Sequence, residues 1–169
     1  MSLRTKAGRA IVVVSAFALL PSAAFAQKAG KPTILLGGPA ALDVSRAARD
    51  AMRRLQQPGC QGVLDDFTDR EGRSLRERLG SSSPEAHLAS LVLRNGEIPV
   101  GSGHCLSSGA AAFTANGAAV FVCGTAFHTL GQGARANALI HEMLHTLGLR
   151  ENPPSSAEIS QQVAARCGS

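Results

Sequence analysis

Apolar positions recur along the chain with a helical period in three places. Val44, Ala48, Met52 and Leu55 fall about one turn apart, with Arg46, Arg49, Arg53 and Arg54 on the other side. This predicts an amphipathic helix with a solvated basic face. Asp43 is a suitable N-cap and Pro58-Gly59 a stop, so the helix is expected from Asp43 to about Gln57. Ala136, Ile140, Met143, Leu144 and Leu147 predict a second helix over about 134–147, with Gly148 as its C-terminal cap. Ile159, Val163 and Cys167 predict a third helix, beginning at Ser155 or Ser156. Pro153-Pro154 keeps it separate from the second.

Elsewhere the pattern is shorter. Ala110 to Thr114 and Ala118 to Val122 flank Asn116-Gly117, which reads as a β-hairpin. Val63 to Phe67 and Leu88 to Leu93 are expected as strands. Ser74 to Leu79 is expected as a helical turn, and Ser81 to Pro84 as another helical start. A few antiparallel strands with segregated helices make an α+β domain.

Composition narrows the class. The chain has 169 residues, of which 44% are hydrophobic and 17% charged, which excludes a disordered chain. Its 18 glycines follow no period, which excludes a collagen-like one. The net charge of +5 invites a nucleic-acid reading. Its distribution removes that reading. Arg4, Lys6 and Arg9 precede an apolar run, Ala10 to Leu20, and Ala24-Phe25-Ala26 has the small-x-small form of a cleavage site. Residues 1–26 are therefore expected to be a secretory signal peptide, with 27–169 forming one domain. The run is shorter than the about 20 residues needed to span a bilayer. Cleavage leaves 14 basic against 12 acidic residues, a net of +2, with no footprint for a polyanion. The expected location is secreted or periplasmic, without a membrane anchor.

Four cysteines remain in that domain: Cys60, Cys105, Cys123 and Cys167. An even count in an exported chain suggests two disulfides. The hairpin brings Cys105 and Cys123 onto its two arms, which favours that pair. Cys60 with Cys167 then ties the early part of the domain to its C-terminus.

Chemistry concentrates in His141-Glu142-Met143-Leu144-His145, an HExxH sequence. Two histidines at i and i+4 lie one turn apart on one helix face, so both imidazoles can reach one zinc ion. Glu142 is rotated about 100° from His141, where it can act as general base on water. The apolar stripe of this helix lies opposite the histidines. Clustered acids at Asp65, Asp66, Asp69 and Glu71 match no calcium loop and read as a solvated turn.

The stretch His141 to Gly148, HEMLHTLG, resembles the active-site helix of zincin metallopeptidases. With Cys60 to Asp69 (CQGVLDDFTD), Val120 to Cys123 (VFVC) and Glu151 to Ser156 (ENPPSS), the chain also resembles a group of small secreted bacterial proteins of uncharacterised function. The resemblance implies a zincin-like fold, with a small antiparallel sheet packed on the HExxH helix. It implies an edge strand that binds an extended peptide, expected here at Val120 to Val122. It implies His141 and His145 as metal ligands and Glu142 as the base.

Two carboxylates compete as third ligand. Glu151 stands where zincins with a glycine turn carry His or Asp. Glu158 lies on the next helix, as in thermolysin-like zincins, but Ser155-x-x-Glu158 is also a capping box. His128 is a further alternative. With no Tyr in the chain, an oxyanion helper must be another donor, and His128, His104 and Arg150 are the candidates. The expected function is a secreted zinc metallopeptidase acting on a peptide or protein. The alternative is a catalytically inactive, zincin-like binding or envelope-structure module.

Overall fold

The structure is a computed structural model describing residues 30–98, 102–115, 117 and 119–168. The expected signal segment and Asn116 of the expected turn lie outside these residues. The elements in chain order are β1 (Thr33–Leu35), α1 (Gly38–Leu55), α2 (Pro58–Gln61), α3 (Val63–Asp66), α4 (Leu75–Leu79), α5 (Pro84–Ser90), β2 (Val92–Asn95), α6 (Ser102–Ser108), β3 (Ala112–Ala115), β4 (Ala119–Val122), α7 (Gly124–Thr129), α8 (Gln132–Thr146) and α9 (Ser156–Cys167). The class is α+β.

The sheet order is β1-β2-β4-β3. It is mixed, which corrects the expectation of an antiparallel sheet. β1 with β2, and β2 with β4, are parallel; β3 with β4 is antiparallel. The long helical excursion between β1 and β2 is the kind of connection a parallel pair requires. The hairpin forms as expected, with Ala112 opposite Val122 and Ala115 opposite Ala119. Its second arm, however, is inserted beside β2. Val120 to Val122 is thus in an interior strand, and β3 is the edge strand on that side of the sheet, with β1 at the other.

Val120 and Val122 are buried, and so is Leu93 of β2. α8 packs between α1, α9 and β3. Its whole expected stripe, Ala136 to Leu147, is buried. Apolar burial at about 25 cal/mol per Å2 of removed surface is what holds this helix in the centre. On the half-buried side of the hairpin, Phe113 and Phe121 stack at 5.1 Å, and His104 of α6 tilts against Phe113 at 4.3 Å.

Several local expectations are corrected. α1 begins at Gly38 rather than at Asp43, with Pro39 in the first turn, where its fixed φ suits a helix. Asp43 is instead buried within the helix. Residues 63–66 are helical, not a strand. Cys60, Val63 and Leu64 are all buried at i, i+3 and i+4 spacing, a helical period hidden by the break at Gly62. Residues 88–90 end α5, because Ser83 caps that helix and Pro84 starts it. Arg54 is not solvated: it bonds Asp50, Asn137 and the carbonyl of Gly168. Asp69 is buried and accepts from the Glu71 and Arg73 backbone and from the Arg73 guanidinium.

Both expected disulfides are present, Cys60–Cys167 and Cys105–Cys123. Cys105 sits on α6 rather than on a hairpin arm, so this bridge ties α6 to the end of β4. Two disulfides fit an oxidising compartment. Among the described residues, no helix is long and apolar enough to cross a membrane.

Candidate functional site

The C-terminal end of α8 is shaped by Gly148. The backbone N–H of Leu149 donates to the Leu144 carbonyl, and that of Gly148 to the His145 carbonyl. These two bonds make a Schellman motif, which needs a positive φ at its first non-helical residue. Gly148 has φ +105. The turn sends the chain back along the helix and delivers Leu149 and Glu151 to the histidine face.

His141 and His145 point their Nε2 atoms at each other, 3.0 Å apart. Glu151 Oε1 lies 3.4 Å from His145 Nε2 and 3.7 Å from His141 Nε2. One ligand atom from each of the three residues falls within 4.8 Å of the others. The outer nitrogens are also engaged. His145 Nδ1 donates to the Leu149 carbonyl at 2.9 Å. A carbonyl only accepts, so the neutral ring carries its proton on Nδ1 and presents a lone pair at Nε2. His141 Nδ1 meets Ser160 Oγ of α9 at 3.0 Å. Burial, and secondarily the neighbouring His145, push the His141 imidazole down to about 4, so it is neutral at pH 7.

Glu142 is also buried, at 6% exposure. Thr114 Oγ1 on β3 donates to its Oε2 at 2.8 Å and lies 3.1 Å from its backbone carbonyl. Burial raises the Glu142 carboxyl above the ordinary range, against the Thr114 hydrogen bond, which lowers it.

The sequence-predicted residues thus separate. His141, His145, Glu151 and Glu142 come together. Glu158 does not join the cluster, because its Oε2 accepts from the backbone N–H and the hydroxyl of Ser155, at 2.7 Å each. That capping box holds its carboxyl below the usual range. His128 does not join the cluster and lines neither of the clefts that open on Glu142; its Nδ1 donates to Asp43 at 2.7 Å, and Arg135 pairs with the same carboxylate at 2.9 Å.

Two clefts open on Glu142. One, of about 360 Å3, is walled by Ala111, Leu130, Ala134, Ala138 and Ala164 and reaches His141. The other, of about 710 Å3, reaches His145 and Glu151 and is lined by Thr114, His104 and Arg150. Ala110, Ala112 and Ser156 border both.

Sequence reasoning missed Thr114, Ser160 and the Leu149 carbonyl. Thr114 lies on a strand the alternation did predict, on the same face as Ala112. Ser160 and His141 meet only because α9 folds back on α8, which no local pattern encodes. No protein-family model, curated protein or solved structure matches the chain.

Proposed function

We propose that the protein is a zinc-dependent hydrolase that cleaves extended peptides outside the cytoplasm. The observation that carries this reading is the convergence of His141, His145 and Glu151 beside a buried Glu142. Tetrahedral zinc ligands at their usual bond lengths stand roughly 3.3–3.6 Å apart. The three donor separations of 3.0, 3.4 and 3.7 Å bracket that spacing, so shifts of a few tenths of an ångström would bring all three to it. Two nitrogens and one carboxylate oxygen are a zinc donor set, with both imidazoles held from behind as such ligands usually are. The HEMLHTLG stretch adds its resemblance to the zincin active-site helix.

A zinc ion held there supplies Lewis acidity to water and to the scissile carbonyl. Glu142 takes the proton of the attacking water and returns it to the leaving amine as the C–N bond breaks. Its raised pKa suits a group that must both take and release a proton. His104 and Arg150 line the cleft beside His145 and offer N–H donors to a developing oxyanion. The edge strand β3 offers main-chain groups to an extended peptide. The alanine-walled cleft suits an apolar side chain, and the wider cleft a polar one. Two disulfides and the amino-terminal signal pattern support export.

The test is zinc content and peptide-library cleavage with a chelator control. The expected outcome is about one zinc per chain, chelator-sensitive cleavage, and loss of cleavage with zinc retained in Glu142→Gln. A reconstituted protein that takes up no zinc sinks the proposal. One observation favours a non-catalytic binding module instead: the His141 side chain is only 7% exposed and is touched by α9. Zinc uptake without cleavage of any peptide would decide for that module.

A further inference from the structure

The carboxylate of Glu142 is attached to α8 but held from the sheet. Among the described residues, the side-chain donor to this carboxylate is Thr114, at 2.8 Å. The Thr114 hydroxyl has one proton and two acceptors, Oε2 and the backbone carbonyl, and both belong to Glu142. Either choice ties β3 to that one residue. Thr is β-branched and stiff at χ1, so its hydroxyl is a fixed point on the strand. Main-chain bonds to β4 hold that strand in register, with Thr114 opposite Val120.

We propose that Thr114 is a positioning residue for Glu142. The inference rests on the hydrolase reading above. β3 is the strand an extended substrate would pair with, and it also carries the hydroxyl that aims the base. Peptide and carboxylate therefore share one structural reference. A rigid common support of this kind is what keeps a reacting group within the small tolerance that catalysis allows. A carboxylate carried by α8 alone would be free to rotate into either of the two clefts that open on it.

The experiment compares Thr114→Val and Thr114→Ser with wild type in the zinc-loaded full chain. Val conserves the shape and removes the hydroxyl; Ser restores it. Thr114→Val is expected to lower kcat roughly ten- to hundred-fold, with KM changed less than about two-fold and zinc content unchanged. Thr114→Ser is expected to recover most of the loss. Crystal structures of both variants supply a readout independent of turnover: the Glu142 carboxylate is displaced in Thr114→Val and retained in Thr114→Ser. Wild-type kcat in Thr114→Val, or an unmoved carboxylate there, overturns the proposal. Should Thr114→Val not fold, a displaced carboxylate in Thr114→Ser overturns it equally. Should wild type cleave nothing, the hydrolase reading fails, and the carboxylate position still decides the role of Thr114.

Discussion

His145 donates its Nδ1 proton to the backbone carbonyl of Leu149, four residues further on and past the end of α8. The helix that supplies the imidazole therefore also supplies, through its own C-terminal turn, the group that orients it. Gly148 makes this possible, and Glu151 arrives on the same turn.

Replacing Gly148 tests that dependence. A Cβ there would be 3.3 Å from the Asp69 Cβ, and the backbone is in a region that L side chains rarely adopt. Gly148→Ala is expected to cost about 1–3 kcal/mol of stability and to weaken zinc binding by displacing the Leu149 carbonyl. Thermal unfolding with a parallel zinc titration measures both. A variant with wild-type values in each would separate the turn from the site.

The two carboxylates proposed as third ligand are expected to behave oppositely. Glu151→Gln should lower zinc affinity, because its oxygen faces both Nε2 atoms. Glu158→Gln should leave zinc binding unchanged and slightly lower the melting temperature, because its work is capping α9. Metal content after dialysis against a weak chelator distinguishes them. Equal retention in both variants refutes the ligand assignment.

The disulfides should contribute unequally. Cys60–Cys167 closes a separation of 107 residues and Cys105–Cys123 one of 18. Chain entropy alone assigns about 5 kcal/mol to the first and about 3 kcal/mol to the second. Paired Cys→Ala variants, compared by denaturant unfolding, give the order. The long bridge also anchors α9, so its loss should loosen the Ser160 contact with His141 and lower zinc affinity. The short one ties down α6 and should leave zinc affinity intact.

Acid should release a contact between α3 and α9. Asp66 accepts from the guanidinium of Arg166 and from the Gln162 amide. Those bonds, Arg166 first, hold its carboxyl below the ordinary value of 3.8. A depressed folded pKa means stability that is present above the unfolded pKa and lost as pH falls through the folded one. Asp66→Asn should therefore melt below wild type at neutral pH, with the gap closing as pH falls below the ordinary carboxylate range. A gap independent of pH contradicts the ion-pair account.

Legibility of the fold followed the range of the interactions. The stripe on α8 and the Ser155–Glu158 capping box were readable, because i, i+3 and i+4 spacing and side-chain–backbone bonds are local. α3 was misread as a strand because it spans only one turn, too short to show a period. The parallel pairing of β1, β2 and β4, and the exchange of edge strand from Val120–Val122 to β3, depended on which strands met after long connections. No alternation records that.

The same division runs through the site. The sequence by itself determined that His141 and His145 share a helix face, that Glu142 sits beside them, and that Gly148 ends the helix. It also left Glu151 and Glu158 both open, and placed His128 among the candidates. Only the tertiary structure separated these. It committed Glu158 to Ser155 and His128 to Asp43, swung Glu151 onto the histidine pair, and brought Ser160 and Thr114 across from α9 and β3. Helical spacing is a property of neighbouring residues, whereas the supports of a site come from elements that meet only when the core has packed.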